Sequence, residues 1–329
     1  MRPDSGLIDP PATAPQNRRR VPDEPEKIVS LLVTGSIGID TVETPYGRAA
    51  DVLGGSAVYF SFAASVFGPV RLVGVVGDDF PAEFRKVFAG RPIDLAGLET
   101  RTGSRTFRWS GRYVGDLNAA QTLRTDLNVL GETGPRIPPA FADSRFVFLA
   151  NTHPDLQRAL LDGLSAPQLV VADTMNLWIE TTRDALLKTL AAVHGVVLND
   201  GEARLLTGRA NLVEAGRTVL NLGPRFVVIK KGEHGCLLVT SDDLFALPAF
   251  PTERVADPTG AGDSFAGGML GYLASVGRSE TRDLRAALAR GTVLASFAIE
   301  GFSLDGLKRA DRAAVDRRLA ALRGLVQFD

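Results

Sequence analysis

The sequence predicts an α/β fold in which helices cover both faces of a mostly parallel β-sheet. Two observations support this class: short apolar runs alternate with helical patterns along the chain, and polar residues bound each run. Strands that are apolar throughout are typical of parallel sheets, because helices bury both of their faces. Ligands bind such sheets beyond the carboxyl ends of the strands, so the polar residues that follow each apolar run are candidates for a functional site.

Seven apolar runs are predicted to form strands of this sheet. They lie at residues 28–34, 70–76, 146–149, 169–172, 196–198, 226–229 and 236–240. A buried helix is predicted at residues 56–67, because this stretch is apolar on most sides and is followed by Gly68 and Pro69. Further helices are predicted at residues 185–193 and 287–299.

Two segments depart from this pattern, because their apolar residues alternate with polar ones at hairpin spacing. Residues 39–43 and 49–53 form the first predicted hairpin, with a turn at residues 45–47. The second begins with residues 106–113 and continues in an alternating stretch that ends at Leu130. Each hairpin has one apolar face.

The composition excludes several classes of function. The chain has 329 residues, of which 45% are hydrophobic, and a formal net charge of -1. This length suits one large α/β domain and also allows two domains. The near-neutral charge argues against a nucleic-acid partner or an anionic membrane surface. The only cysteine, Cys236, excludes an internal disulfide framework, and its place in an apolar run predicts a buried thiol. The three histidines are scattered, which gives no metal-ligand spacing.

Residues 1–27 are predicted to be a disordered tail, because they are rich in proline and lack apolar periodicity. They include three consecutive arginines at positions 18–20, for which a solvated role is favoured over an acidic partner. No apolar segment of a secretory signal follows these charges, and no later run has membrane-spanning length. A soluble, cytoplasmic protein is therefore expected.

The most informative segment lies at residues 257–268. Gly260, Ala261 and Gly262 form a glycine-rich turn, Asp263 follows directly, and apolar residues at helical spacing come next. A turn of this kind at a helix start directs free N–H groups and the positive end of the helix dipole at one point, where they bind anions such as phosphate. A carboxylate beside such a site suits phosphoryl transfer, because it takes a hydroxyl proton while the N–H groups hold the phosphoryl oxygens.

Residues 257–265 resemble the second signature of the ribokinase-like (PfkB) family of sugar and nucleoside kinases, with Pro258 where threonine is usual. Gly54 and Gly55, ahead of the helix at residues 56–67, are similar to the first signature. The resemblance covers about residues 28–310. It implies a three-layer sandwich with a small β-sheet lid, and a kinase domain at residues 28–329 whose lid comes from residues 39–53 and 103–131.

The resemblance also implies roles for residues on the acceptor side of the site. Asp263 is the expected base, and the amides of Gly260, Ala261 and Gly262 form the anion hole. Asp40 is expected to accept hydrogen bonds from sugar hydroxyls. The remaining acceptor-side residues are Gly54 and Gly55, which allow close backbone approach, and Tyr59 and Trp109. Asparagine is common in the family at the position of Tyr59.

On the nucleotide side, the resemblance implies ATP and Mg²⁺ as cofactors. Asn199 and Glu202 match the family's Asn-x-x-Glu element and are the expected magnesium residues. Lys230, Lys231, Gly232 and Gly235 form a turn expected to lie along the phosphates and ribose, and Asp257 is also assigned to the nucleotide. The adenine is expected between this turn and the helix at residues 287–299. Asp173 and Asn176 are similar to the family's Asp-Pro-Asn element, with Thr174 and Met175 between them.

The expected reaction is phosphorylation of a hydroxymethyl group on a small-molecule sugar or nucleoside. A nucleoside is the leading hypothesis, because the rings of Tyr59, Phe62, Trp109 and Tyr113 would stack on a planar base. A homodimer through the lid is a further expectation. The alternatives are a non-catalytic binding or regulatory protein of the same fold and a nicotinamide-dependent oxidoreductase. The sequence contains no Walker A motif. It also lacks a Gly-x-Gly-x-x-Gly fingerprint, which weakens the oxidoreductase hypothesis.

Overall fold

A nine-stranded sheet and a separate four-stranded sheet form the framework of the computed structural model, which describes residues 29–327. In chain order, the strands of the described residues are β1 Leu31–Thr34, β2 Gly38–Thr44, β3 Gly47–Gly54, β4 Val70–Gly77, β5 Ile93–Arg101, β6 Phe107–Tyr113, β7 Ala120–Asp126, β8 Phe146–Leu149, β9 Leu169–Asp173, β10 Gly195–Asn199, β11 Phe226–Lys230, β12 Cys236–Thr240 and β13 Leu244–Leu247.

Helices surround the larger sheet. Within residues 29–327 they are α1 Ser56–Ala64, α2 Ala82–Phe88, α3 Pro154–Leu161, α4 Asn176–Thr181, α5 Arg183–Ala191, α6 Asp200–Thr207, α7 Leu212–Leu220, α8 Ala261–Val276, α9 Thr281–Ala298, α10 Asp305–Lys308 and α11 Arg312–Leu325.

The larger sheet has the strand order β13-β12-β11-β10-β9-β8-β1-β4-β5. The strands from β11 across to β5 are parallel to their neighbours, and β12 is antiparallel to both β11 and β13. The carboxyl ends of the parallel strands therefore meet at one edge, where ligands bind sheets of this kind.

Both faces of this sheet are buried. Along β10, Val197 belongs to the core that includes α1, α8 and α9, whereas its neighbour Val196 belongs to the core beneath α5, α6 and α7. A third apolar cluster packs α3 against β8 and β9 on the same side as Val196. The expected three-layer α/β architecture with a mostly parallel sheet is therefore confirmed.

The four-stranded sheet, here called the lid, has the order β3-β2-β6-β7. Strands β2 and β3 form one antiparallel hairpin and β6 and β7 form the other, as the alternating patterns predict. The inner strands β2 and β6 pair in parallel. This orientation has a simple cause, since β2 follows the end of β1 and β6 follows the end of β5, and both leave the same edge of a parallel sheet.

Reciprocal hydrogen bonds tie the base of the first lid hairpin to the central sheet. The N–H of Ser36 donates to Ser56 Oγ at 3.1 Å, and the N–H of Ser56 donates to Ser36 Oγ at 2.9 Å. The two hydroxyl oxygens are 3.0 Å apart. Because Ser36 precedes β2 and Ser56 follows β3, this serine clasp joins the two points at which the chain leaves and rejoins the main layer.

The lid also contacts the loop before α8. Thr44 Oγ1 donates to the carbonyl of Ala256 at 2.9 Å, and Ser303 Oγ donates to the carbonyl of Leu53 at 2.6 Å. A small apolar cluster joins the two parts, and consists of Val42, Trp109, Tyr113, Leu117, Val255 and Phe302. The inner side of the lid therefore packs toward the loop before α8 and the loop after α9, whereas the outer strand β7 is largely exposed.

The element boundaries differ from the sequence prediction in a few places. The edge strands β5 and β13 were not predicted, because their exposed residues interrupt the apolar pattern. The helix expected at residues 56–67 ends at Ala64 and is followed by a turn, and the helix expected from residue 287 begins at Thr281. The predicted tail at residues 1–27 lies outside the described residues. Among the helices of residues 29–327, none is sufficiently long and apolar to cross a membrane.

Candidate active site

The start of α8 lies at the carboxyl edge of the central sheet, where the polar residues that follow β9, β10 and β11 also gather. Helix α8 begins at Ala261, and Gly260 is its N-cap residue in the left-handed conformation, with φ 74°. A side chain at this position would meet the ring of Tyr59 at 2.2 Å. Only glycine satisfies both the positive φ and this close packing. The loop conformation that directs N–H groups outward from α8 therefore depends on Gly260.

The N–H groups expected to form the anion hole differ in their hydrogen bonding. The N–H of Ala261 donates to the carbonyl of Pro258 at 3.1 Å, which closes the turn. The N–H groups of the first helical turn, which include those of Gly262 and Asp263, have no partner within the helix by its geometry. Of the three predicted amides, that of Ala261 is therefore engaged in the turn, and the anion-binding capacity of this end comes from the other amides, which include those of Gly260 and Gly262.

Asp263 lies in the first turn of α8 and is partly buried. Burial and the charge of Asp173 raise the pKa of Asp263 to about 7, against the opposing effect of Lys230. A carboxylate with this pKa is a much stronger base than an exposed aspartate and is still deprotonated in a large fraction of molecules at neutral pH.

Lys230, at the end of β11, extends toward α8. Its Nζ is 3.6 Å from Asp173 Oδ2, and a Cβ atom placed on Gly262 would lie 2.8 Å from the same nitrogen. Burial lowers the pKa of Lys230, but the charges of Asp173, Glu202 and Asp263 outweigh this effect and raise it above its ordinary value. The ammonium group therefore stays charged beside the anion hole.

The turn after Lys230 is shaped by two glycines with positive φ. A side chain on Gly235 would lie 2.0 Å from the carbonyl oxygen of Leu247, and one on Gly232 would lie 2.3 Å from Asn118 Oδ1 in the lid. Lys231, between Lys230 and this turn, is partly buried. Lys230, Lys231, Gly232 and Gly235 lie at one turn as expected, but the side chain of Lys230 extends away from the turn and toward α8.

Asn199 and Glu202 form a capping box at the start of α6. Asn199 Oδ1 accepts a hydrogen bond from the N–H of Glu202 at 2.8 Å, and Glu202 Oε2 accepts one from the N–H of Asn199 at 2.7 Å. Burial raises the pKa of Glu202 to about 7, and Lys230 opposes this rise. The Asn-x-x-Glu spacing therefore has a structural function in the helix start as well as placing a carboxylate near Lys230.

The site suits a magnesium ion that arrives with phosphate groups. Among the described residues, no cluster of three or more acidic, histidine or cysteine side chains is arranged to hold a metal by itself. Mg²⁺ in nucleotide sites needs only one or two carboxylates, since phosphates and waters supply the other oxygens. Glu202 fits this role with one carboxylate oxygen outside the capping box. The amide oxygen of Asn199 is already an acceptor in that box.

Asp40 lies across the site from α6, on strand β2 of the lid. Asp40 is only 4% exposed, and its Oδ1 has no hydrogen-bond partner among the described residues. Burial raises the pKa of Asp40 to about 7, although a hydrogen bond from the backbone N–H of Gly55 opposes this rise. A Cβ on Gly54 would lie 1.8 Å from Asp40 Oδ2. Glycine at position 54 therefore leaves space for this carboxylate, and Gly55, with φ 103°, begins the turn into α1.

Tyr59 and Asp257 complete a buried polar group around Asp40, although Asp257 was expected on the nucleotide side. The hydroxyl of Tyr59 and Oδ2 of Asp257 have no hydrogen-bond partner among the residues described. The charges of Asp40 and Asp257 contribute to a raised pKa of Tyr59, after burial as the main cause, which shows that the groups are close together. Asp257 also accepts a hydrogen bond from the N–H of Thr259 at 2.9 Å and so shapes the turn before α8.

The aromatic residues expected around a nucleoside base occupy different positions. Phe62 was wrongly included, because it packs in the core against Phe88 with ring centroids 5.7 Å apart. Tyr59 is 1% exposed and its ring lies against Gly260, so only its hydroxyl edge faces the polar group. Trp109 is partly exposed and is paired in register with Asp40, which puts both on the same face of the lid. Tyr113 is buried near Thr259, with 3.4 Å between their side-chain oxygens.

Sequence reasoning missed a polar wall at the ends of β8 and β9. Trp178 Nε1 donates to Asn151 Oδ1 at 2.9 Å, and Asn151 Nδ2 contacts Met175 Sδ at 3.1 Å. The hydroxyl of Ser56 donates to the backbone carbonyl of Asn151 at 3.3 Å, which connects this wall to the serine clasp. The available signal was the polar sequence directly after the strand at residues 146–149.

Comparisons with known proteins identify kinases among the relatives of the chain. The pfkB family carbohydrate kinase model matches residues 158–306. A cytidine kinase of Thermococcus kodakarensis is 31% identical over 270 residues, covering 80% of this chain and 95% of the relative. An aminoimidazole riboside kinase of Salmonella typhimurium is 23% identical over 281 residues, covering 81% of this chain and 88% of the relative.

Solved structures share the fold. The structure of a Burkholderia thailandensis nucleoside kinase in complex with inosine aligns with a TM-score of 0.72 at 19% identity, covering 90% of this chain and 99% of the other. A nucleoside kinase of Methanocaldococcus jannaschii aligns with a TM-score of 0.71 at 19% identity, covering 89% and 99%. The kinase relatives favour a phosphotransferase over the oxidoreductase and non-catalytic alternatives. The chain belongs to the PfkB, or ribokinase-like, family of sugar and nucleoside kinases, and is a phosphotransferase with an alcohol group as acceptor.

Proposed function

We propose that the protein transfers the γ-phosphoryl group of ATP to the hydroxymethyl group of a nucleoside, with Asp263 as the catalytic base. The observation that carries this proposal is the position of Asp263 in the first turn of α8, beside Lys230 and the free N–H groups of the helix start. Base, anion hole and cation are thus within one small region, as an in-line phosphoryl transfer requires.

Asp263 takes the proton of the acceptor hydroxyl as the oxygen of that group bonds to the phosphorus. ATP supplies the phosphoryl group, and the bond between its γ-phosphorus and the bridging oxygen breaks in the same step. The N–H groups of Gly262 and Asp263 hold the phosphoryl oxygens, and Lys230 offsets the negative charge on them. The raised pKa of Asp263 suits a base that works near neutral pH.

The nucleotide side of the site consists of the turn at Lys231, Gly232 and Gly235 together with Glu202. A magnesium ion bound on this side would reduce the negative charge of the phosphates. Glu202 supports it with a buried carboxylate, and Asn199 fixes the orientation of Glu202 through the capping box. We assign Asn199 to this supporting role because its amide oxygen is engaged at the helix start.

On the acceptor side, Asp40 accepts hydrogen bonds from the sugar hydroxyls and Trp109 stacks on the base. Two observations favour a nucleoside over a free sugar. A relative that is 31% identical over most of both chains is a cytidine kinase, and Trp109 shares a face of the lid with Asp40. An aromatic ring on the same face of the lid as a sugar-binding carboxylate suits a planar base.

A substrate panel tests the proposal. With ATP and Mg²⁺, we expect the kcat/KM of cytidine, adenosine, inosine or guanosine to exceed that of ribose, fructose and 2-keto-3-deoxygluconate. The assay couples ADP release to NADH oxidation, and mass spectrometry of the product checks that one phosphate has been added. If the kcat/KM of a free monosaccharide exceeded that of every nucleoside tenfold, the acceptor would be a sugar and the nucleoside proposal would be wrong.

A further inference from the structure

A buried ion pair links the central sheet to the start of α8. We infer that Asp173 is a positioning residue that holds the ammonium group of Lys230 against the start of α8, where Lys230 contacts the phosphoryl group during its transfer. The inference rests on the proposed function and adds a residue, Asp173, and a specific location for Lys230. On the sequence alone, Lys230 was expected along the nucleotide turn.

The first argument is geometric. Asp173 ends β9 and Lys230 ends β11, with β10 between them, so the pair spans a strand at the carboxyl edge of the sheet. The side chain of Asp173 is 6% exposed and that of Lys230 is 18% exposed. Asp173 also accepts a hydrogen bond from the N–H of Thr174 at 2.8 Å, which fixes the direction of its carboxylate.

The second argument concerns Gly262. Its φ is not in the left-handed region, so backbone conformation does not require glycine at this position. A Cβ atom there would lie 2.8 Å from Lys230 Nζ and 3.6 Å from its Cε. Gly262 therefore leaves room for the ammonium group beside the second residue of α8, where a bound phosphoryl group also lies if the helix start is its binding site.

The third argument is electrostatic. The start of a helix carries partial positive charge, so a lysine there is unfavourable unless anions are close. Asp173, Glu202 and Asp263 supply these anions, and their charges act on Lys230. Without Lys230, three carboxylates at this point would repel a phosphate. A lysine between carboxylates and a helix start makes the site able to accept an additional anion.

A four-variant cycle in the full-length protein separates catalysis from stability. The variants are Lys230→Met, Asp173→Asn, the double variant and Lys230→Arg, with Lys188→Met, an exposed lysine on α5, as the matched control. Each is assayed with ATP, Mg²⁺ and cytidine, or the panel member with the highest kcat/KM. ATP affinity is measured by calorimetry and Tm by thermal unfolding.

We expect Lys230→Met to lower kcat roughly a hundredfold, the scale for loss of one group that stabilises transition-state charge. The Kd of ATP should rise less than about fivefold, because the contact forms during transfer. Asp173→Asn should lower kcat about tenfold, and the double variant should be no worse than Lys230→Met, since Asp173 acts through Lys230. Lys230→Arg should retain more activity than Lys230→Met. Lys188→Met should match the wild type.

The Tm values separate this role from a structural one. Each single neutralisation leaves a buried group unpaired and should lower Tm, whereas the double variant should regain most of the loss. A double variant that regains Tm together with wild-type kcat would make the pair purely structural and overturn the inference. Wild-type kcat in Asp173→Asn would remove Asp173 from its positioning role. If the wild type phosphorylates no acceptor in the panel, the proposed function itself is wrong.

Discussion

Asp263 and Gly260 are three residues apart and meet different physical requirements. Asp263 must be a base in a site that also binds anions, and burial together with Asp173 raises its pKa to about 7. Gly260 must adopt a positive φ while its α-carbon lies against the ring of Tyr59. The first requirement concerns charge and the second concerns shape, so substitutions at the two positions should fail in different ways.

Replacing Asp263 with asparagine removes the proton acceptor and leaves the helix start in place. We expect kcat to fall by roughly a hundredfold or more, the scale for loss of a general base, with little change in the Kd of ATP. Steady-state kinetics and calorimetry measure the two quantities. Near wild-type kcat in Asp263→Asn would show that another group takes the proton.

The pH profile of the wild type tests the same assignment. The base acts only when deprotonated, and its pKa is about 7. The kcat/KM of the acceptor should therefore be level above pH 8 and fall as the pH drops through 7, about tenfold for each further pH unit. A profile that stays level to pH 5 would mean that the acting carboxylate has an ordinary pKa.

Gly260→Ala should disrupt the anion hole through shape alone. Alanine at φ 74° costs about 1–2 kcal/mol in backbone conformation, and its Cβ would strike the ring of Tyr59. We expect lower stability in urea unfolding and at least a tenfold loss of kcat. Gly90→Ala is the matched control, because a Cβ there meets no atom within 4 Å. Equal behaviour of the two variants would contradict the proposed packing.

At the scale of elements, α6 combines a helix start with a magnesium-side carboxylate. Glutamine at position 202 can keep the capping box, because its side-chain oxygen accepts the same hydrogen bond from Asn199. We expect Glu202→Gln to keep its stability but to raise the magnesium concentration for half-maximal rate roughly tenfold. A magnesium titration at fixed ATP measures this shift.

The control for this prediction is Asn211→Ala at the start of α7. Asn211 Oδ1 accepts hydrogen bonds from the N–H groups of Val213 and Glu214, so its loss should cost about 1 kcal/mol of stability. We expect no change in its magnesium titration. If Glu202→Gln gave the same titration as the wild type, Glu202 would have a structural role only.

The lid supplies the other element-scale prediction. Trp109→Ala removes the ring that shares a face with Asp40 and should raise the KM of the best nucleoside about tenfold or more, the scale of a lost stacking contact of 1–3 kcal/mol. The KM of ATP should change much less, because the contact between the lid and the nucleotide turn is made by Asn118 and not by Trp109. Equal changes in both KM values would instead indicate a general loss of lid structure.

The sequence was sufficient for most strands, because the strands between helices are continuous apolar runs and the two lid hairpins alternate, but it identified fewer of the helices. It was less informative about side-chain direction. Lys230 follows a strand, as expected for a site residue, but its ammonium group lies at α8 because Asp173 and Gly262 hold it there. Such contacts join residues far apart in sequence, and no local pattern records them. The same limit explains why Phe62 was assigned to the acceptor site. The sequence alone does not distinguish a ring that packs in the core from one that stacks on a substrate.

At the scale of the whole molecule, the buried carboxylates of the site should make the folded protein less stable at neutral pH than at mildly acidic pH. Burial raises the pKa values of Asp40, Glu202 and Asp263 to about 7, above those of the unfolded chain. The folded protein therefore binds more protons between about pH 4 and pH 7, so its free energy of unfolding falls as pH rises through this range. His194 acts in the opposite direction, since burial lowers its pKa, but it is a single group.

We expect the free energy of unfolding to be higher at pH 5.5 than at pH 8, by roughly 2 kcal/mol for each carboxylate whose pKa is raised to about 7. Urea unfolding at the two pH values, without nucleotide or metal, measures the difference. Asp40→Asn should reduce this difference, because one of the contributing carboxylates is lost. A stability that rises with pH across this interval would contradict the burial of these groups.

The serine clasp also determines how the lid can move. Ser36 and Ser56 join both stems of the first hairpin at one point. A rotation of the hairpin would therefore pivot at the edge of the sheet, with the hairpin as its arm. A strand rises about 3.3 Å per residue, so Tyr46 lies at roughly 30 Å along this arm and Asp40 at roughly 13 Å. A rotation of about 10° would displace the tip by roughly 5 Å but Asp40 by only about 2 Å. Such a movement of the tip would have to break the hydrogen bond from Thr44 to Ala256, whereas the carboxylate of Asp40, close to the pivot, would keep almost the same distance from the start of α8.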